Sequence, residues 1–180
     1  MFDLPTSVTV SGCEYPIRTD FRVILEIFVM LDDPELTDAD KTEALLRMFF
    51  IIERPSDPEA ALRTFTDFVD PRSIRKAEWK KHAPLIDWQH DFDLMIAPVN
   101  HILGFECRAA DYLHWRTFLA AYLEIPPESV FARVLRIREK LRTGKKLEKY
   151  ERSWYGKNRD LVHLRPKFSK AEEELIAAWT

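Results

Sequence analysis

LHWRTFLAAYLEIPPESVFARVLRIREKLRTGKK, residues 113–146, decides the fold class. Trp115, Phe118, Leu119 and Tyr122 recur at the spacing of one helical face, which predicts a helix over about 110–124. Pro126-Pro127 cannot continue it. A second helix is predicted over about 128–142, with Phe131, Val134, Leu135, the stem of Arg138 and Leu141 inward and Thr143-Gly144 closing it. Two amphipathic helices broken by prolines, in a chain with only four glycines, point to a mainly α protein.

Upstream of this stretch, Asp87 is expected to open a helix carrying Trp88, Phe92, Met95, Ile96, Val99 and Leu103 on one stripe, with Gly104 just past its end. Downstream, Leu147, Tyr150 and Trp154 suggest a short helix over 145–155. Ser169 and Glu172 form a capping-box pattern ahead of a last helix expected to bury Leu175, Ile176 and Trp179. A helix of about ten residues does not persist alone in water, so it must dock on something.

The N-terminal part reads differently. Ser7–Ile17 alternates around Ser11-Gly12, the pattern of a β-hairpin, and Pro16 makes its second strand an edge. Thr19 or Asp20 should cap a helix to about Leu31 (Ile24, Ile27, Phe28 and Leu31 inward), stopped by Asp32-Asp33-Pro34. Thr37 with Asp40 should cap the next, whose stripe is Leu45, Met48, Phe49 and Ile52. Ser56 should cap a third, with Leu62, Phe65, Phe68 and Val69 inward. The expected organisation is a hairpin plus three helices over 1–70, a basic connector over 71–84, a helical module over 85–164 and a capped terminal helix over 165–180.

Length and composition allow one ordinary domain with a sizeable core: 180 residues, 46% hydrophobic and 32% charged. The longest apolar run, Met48–Ile52, is too short to span a membrane, and MFDLPTSVTV is no signal peptide. Cys13 and Cys107 lie far apart in different kinds of segment, which suits a reducing cytoplasm better than a disulfide. The net charge of −3 conceals a split. Residues 133–167 hold thirteen Lys/Arg against four acids, and the remainder holds fourteen against twenty-six. Such asymmetry suits an anionic partner, or docking of one charge half on the other.

Catalytic signals are missing. Asp87, Asp91 and Asp93 sit where helix caps and first-turn acids belong. His82, His90, His101, His114 and His163 form no metal-ligand pair, and neither cysteine has zinc-site spacing. His114 is read as a structural histidine, facing Asp111 one helical turn away. No nucleophile motif or phosphate loop is present. The expectation is a protein without catalytic residues, cofactor or metal.

Binding residues are better candidates. Arg133, Arg136, Lys140, Lys145 and Lys146, with Tyr150, Trp154 and Tyr155 nearby, could meet an anionic surface. A pI of about 6.0 and the lack of a nucleic-acid signature weigh against DNA or RNA as that surface. Leu175, Ile176 and Trp179 supply an apolar stripe for a protein partner.

Four stretches together resemble a family of siphophage tail-region proteins from phages and prophages of Gram-positive bacteria. They are VTVSGCEYPIRTDFRVILEI (8–27), LIDWQHDFDLMIAPVNHILGF (85–105), LHWRTFLAAYLEI (113–125) and FARVLRIREKLRTGKKLEKYERSWYGKNRDL (131–161). The resemblance is weakest over 57–83, and the helix after Arg165-Pro166 departs from the pattern. Members are typically encoded between the tail tube and tape measure proteins. The resemblance therefore implies a tail-assembly chaperone, active in the bacterial host cytoplasm and absent from the mature virion. Its expected partners are the tape measure protein, then the tail tube protein, then other copies of itself. Two other readings stay open: a nucleic-acid-binding phage protein using residues 133–167, and a structural component retained in the virion.

Overall fold

The computed structural model describes residues 3–70, 85–164 and 166–178. The basic connector expected over 71–84 lies outside them, as do Trp179 and the Ile176 side chain. The described residues form a two-stranded antiparallel hairpin and nine α-helices, as a mainly α chain with a small N-terminal hairpin should. The chain divides into two compact units, Met1–Ile74 with Tyr112–Arg116 and Pro166–Thr180, and Arg75–Asp111 with Thr117–Arg165.

In the first unit β1 (Ser7–Val10) pairs with β2 (Cys13–Pro16) in the register Ser7↔Pro16, Val10↔Cys13. The two turn residues, Ser11 and Gly12, both have positive φ, 50° and 84°. This turn matches the twist of the strands and explains the glycine. Pro16 needs no ladder donor because it sits at the outer end, where its carbonyl accepts from Ile51 N–H.

Three helices follow: α1 (Phe21–Leu31), α2 (Asp38–Phe49) and α3 (Pro58–Val69). Asp20 caps α1 by accepting from the Arg22 amide. Thr37 and Asp40 cap α2 reciprocally, each side chain bonded to the other's amide. The cap of α3 is Asp57 rather than Ser56, its carboxylate accepting from Ala60 N–H at 2.9 Å. This places Pro58 in the first helical position, where its missing N–H costs nothing.

The core of this unit is aromatic. Phe49 contacts Phe50, Phe65 and Phe68 with ring centroids 5.1, 5.1 and 5.4 Å away, and Phe28 meets Trp115 edge-on at 5.7 Å. Ile52 falls outside this core at 79% exposed, because α2 ends at Phe49 and the chain turns to pair Phe50 with Ile17.

The second unit contains α4 (Phe92–Leu103), most of α5 (Trp115–Leu123), α6 (Val130–Arg142), α7 (Lys149–Lys157) and the one-turn α8 (Arg159–Val162). Asp87 does not open α4. It accepts from the amides of Gln89 and His90 in a turn that precedes the helix. Gly104 ends α4 in the left-handed conformation, φ 77°. The buried set includes Met95, Ile96, Val99, Cys107, Phe118, Ala121, Phe131, Val134, Ile137 and Val162. Ile137 is fully buried, whereas Leu141, expected to point inward, lies on the surface near the end of α6.

The last helix, α9 (Lys170–Ala178), belongs to the first unit. Ser169 and Glu172 bond to each other's amides at its start. Lys170 N–H donates to Glu35, and Lys167 pairs with Asp32 at 3.8 Å. Leu175, expected to be buried, is 62% exposed.

Candidate partner-binding surfaces

Residues 112–116 form a strap in the first unit that is extended over 112–114, so α5 starts at Trp115 rather than Ala110. Leu113 accepts from Phe21 N–H at 3.0 Å, and Trp115 N–H donates to the Thr19 carbonyl at 2.6 Å. The indole N–H of Trp115 reaches the Val69 carbonyl at 3.0 Å, and the Tyr112 and Thr19 hydroxyls meet at 2.6 Å. His114 is buried. Its Nδ1 accepts from the Arg116 amide, which leaves Nε2–H to donate to the Pro5 carbonyl at 2.9 Å. Both ring nitrogens are thereby used in holding the neutral imidazole. The bond is made to Pro5 and Arg116, in place of the expected contact with Asp111.

A shallow groove beside the strap is lined by Pro16, Ile17, Val23, Ile51 and Tyr112, with Arg18 and Asp20 at its walls. Arg18 is committed to the C-terminus of α2, donating to the carbonyls of Arg47, Met48 and Phe50 at 2.8–2.9 Å. Burial alone would raise the Asp20 carboxyl, but bonds from the Arg22 side chain and amide and from the Leu113 amide hold it below its ordinary range. The groove's charged walls are therefore spent on the fold.

In the second unit Asp91 is 0% exposed and faces Arg138 in a two-pronged ion pair of 2.6 and 2.8 Å. Arg138 also donates to the carbonyls of Leu85, Leu161 and Val162 at 2.7–2.8 Å. All five guanidinium hydrogens are thus placed. Sequence reading saw only the apolar stem of Arg138 and a capping role for Asp91. The two are 47 positions apart, and no local pattern links them. The Tyr122 hydroxyl is pushed up to about 12 by burial, with the Asp91 charge adding to it.

Lys140 and Glu151 form the second pair, both carboxylate oxygens lying 2.7 Å from Nζ. Glu151 is 1% exposed, and it also takes the Glu148 amide in a capping box that starts α7. Burial would raise its carboxyl, yet Lys140 and that amide hold it low. Lys140 is raised in turn by its bond to Glu151. Nearby, Arg133 lies over the Trp154 ring at 5.4 Å.

These contacts sort the nominated cations. Arg133 and Lys140 face α7 and join it to α6. Arg136, Lys145 and Lys146 are exposed, together with Lys149 and Arg152, and none of the five forms an ion pair among the described residues. Lys145, Lys146, Lys149 and Arg152 flank Tyr150, 58% exposed, in the sequence where α6 turns into α7, whereas Arg136 lies in the middle of α6 and donates to the Pro127 carbonyl ahead of that helix. In the first unit ten basic residues stand against eighteen acidic ones, and in the second seventeen against twelve. Among the described residues no His, Cys, Asp and Glu group is arranged to hold a metal ion, and no helix is long and apolar enough to cross a membrane.

The family pattern described as Bacteriophage Gp15 protein matches residues 1–164. The chain belongs to this bacteriophage protein family. The match takes in the hairpin, α1 to α8 and the basic corner, and stops short of α9, the helix whose sequence departs from the resemblance noted above. Comparison with curated proteins and with solved structures finds no match to this Gp15 family member.

Proposed function

We propose that the protein is a non-enzymatic chaperone of bacteriophage tail assembly, with the tape measure protein as its client. Membership of a phage family supports the setting, and the resemblance of residues 8–27 and 85–161 to tail-region proteins supports the role. The observation that carries the reading is the disposition of polar side chains. Asp91, His114, Arg138 and Glu151 are buried and spent on contacts inside their own units. What remains exposed is charge and scattered apolar surface on helices, which suits a helical protein partner better than a small substrate.

Co-expression with the tape measure protein of the same phage tests this. The client should stay soluble and co-purify with the chaperone. A client that aggregates equally with and without it, or recovery of this protein from purified virions at a fixed copy number, would defeat the reading. Within it, the apolar stripe of α9 is the proposed client contact. Trp179→Ser should then weaken co-purification more than it lowers the thermal midpoint.

A further inference from the structure

The charged surfaces of the two units are complementary in a way that neither unit uses within itself. On the second unit, Lys145, Lys146, Lys149 and Arg152 lie at the α6–α7 corner on either side of Tyr150 in sequence, without a carboxylate partner among the described residues. On the first, no basic residue occurs between Glu26 and Lys41, while Asp32, Asp33, Glu35, Asp38 and Asp40 crowd the α1–α2 connection. The bond from Lys170 N–H to Glu35 and the Lys167–Asp32 pair fasten the start of α9 to this connection. They bring Glu172, Glu174 and the exposed Leu175 into the same region, and together these form one acidic shoulder with an apolar tip.

We infer that the α6–α7 corner of one copy docks on the α1–α2/α9 shoulder of a second copy. The corner supplies four cations beside an exposed aromatic ring, and the shoulder supplies carboxylates on a segment that also carries an exposed leucine. A polar rim of opposite charges around a small apolar centre is the ordinary anatomy of a protein interface. The two patches differ, so the contact is heterologous and each docked copy offers a fresh corner and a fresh shoulder. Such contacts close into rings or extend as filaments. A polyanion such as DNA would satisfy the corner alone and leave the shoulder unused. The inference does not depend on the tape measure reading, since it concerns this chain by itself.

Sedimentation of the purified full chain over a concentration series, at about 50 mM and about 500 mM salt, is the first measurement. Association that weakens at high salt is expected, because exposed charges are screened within a Debye length of roughly 10 Å at 0.1 M. Two variants sharpen it. K145E/K146E/K149E removes the corner and keeps the shoulder, and D38K/E174K does the reverse. Circular dichroism checks that both remain folded. Each alone should be monomeric, whereas mixing D38K/E174K with K145E/K146E/K149E should restore association, because the native corner of one meets the native shoulder of the other and the two reversed patches also carry opposite charges. A wild-type chain monomeric at every concentration overturns the proposal, as does association untouched by both variants. Tight salt-sensitive binding of a DNA duplex by the corner, with no self-association, overturns it in favour of nucleic acid.

Discussion

The two units solve the same packing problem with different chemistry. The first fills its centre with rings: Phe21, Phe49, Phe65, Phe68 and Trp115 are all buried, and its polar groups close local backbone gaps. The second has a thinner apolar centre and runs buried charge through it, Asp91 with Arg138 and Glu151 with Lys140. Rings can be packed in many ways. A guanidinium with five hydrogens and an anionic partner accepts few arrangements, so the second unit trades some stability for a fixed alignment of short helices. This trade is itself testable, since a buried pair is costly to break and cheap to replace whole.

The largest effects should come from Arg138→Met and Phe49→Ala. Each is expected to cost about 3–5 kcal/mol by denaturant unfolding, one by leaving Asp91 buried and unpaired and the other by opening a cavity. Their rescue should differ. Adding Asp91→Leu to Arg138→Met should recover part of the loss, because the stranded charge goes with it while the Leu85, Leu161 and Val162 carbonyls still lack their donor. If the double variant is as unstable as the single, the pair is worth more than its apolar replacement and the contrast between the units fails.

Next in size is Trp115→Phe. It keeps a ring in the aromatic core but strands the buried Val69 carbonyl, at a cost of roughly 1–3 kcal/mol. A cost near zero would mean that the strap is held by packing alone. Asp57→Ala should remove about 1 kcal/mol through loss of the α3 cap, whereas Ser56→Ala should be nearly silent.

The smallest effect concerns acid. The Glu106 carboxyl is held at about 2, below its ordinary 4.5, chiefly by the Arg108 side chain and then by its amide. A depressed carboxyl contributes stability in full above its unfolded value and loses it as pH falls toward the folded one. Glu106→Gln should therefore lower stability slightly at pH 7, where the wild-type contribution is fully present, and flatten the fall of stability between about 4.5 and 2. An unchanged acid profile would assign the acid sensitivity elsewhere, for instance to Glu151, which is shifted in the same direction.

What was legible in the sequence was local. The Ser11-Gly12 turn, the Thr37–Asp40 box, the Ser169–Glu172 box and the Gly104 stop all involve residues within a few positions, where backbone geometry and side-chain reach settle the outcome. Misreadings arose where distant contacts overrode periodicity. Residues 110–114 continue a helical pattern, yet Thr19, Asp20 and Phe21 hold Leu113 and His114 in extended form. Ile52 fits the stripe of α2, yet Phe50 leaves the helix to pair with Ile17. The basic corner was visible as a run of charge. That Lys140 is spent on Glu151 while Lys145 and Lys146 are not depends on how α7 folds back on α6, and no spacing rule encodes that.

The strap at Tyr112–Arg116 bears on the order in which the chain can fold. Its five residues are a late insertion into a unit otherwise built mainly from the first seventy. As the chain leaves the ribosome, α1 to α3 and the hairpin emerge well before Trp115 is available to sit against Phe28 and close onto the Val69 carbonyl. The aromatic centre must wait, incomplete, for more than forty further residues. A truncated chain ending before Tyr112 should therefore remain a loose, dye-binding collapse. One extended through Arg116 should gain most of its near-ultraviolet circular dichroism in a single step.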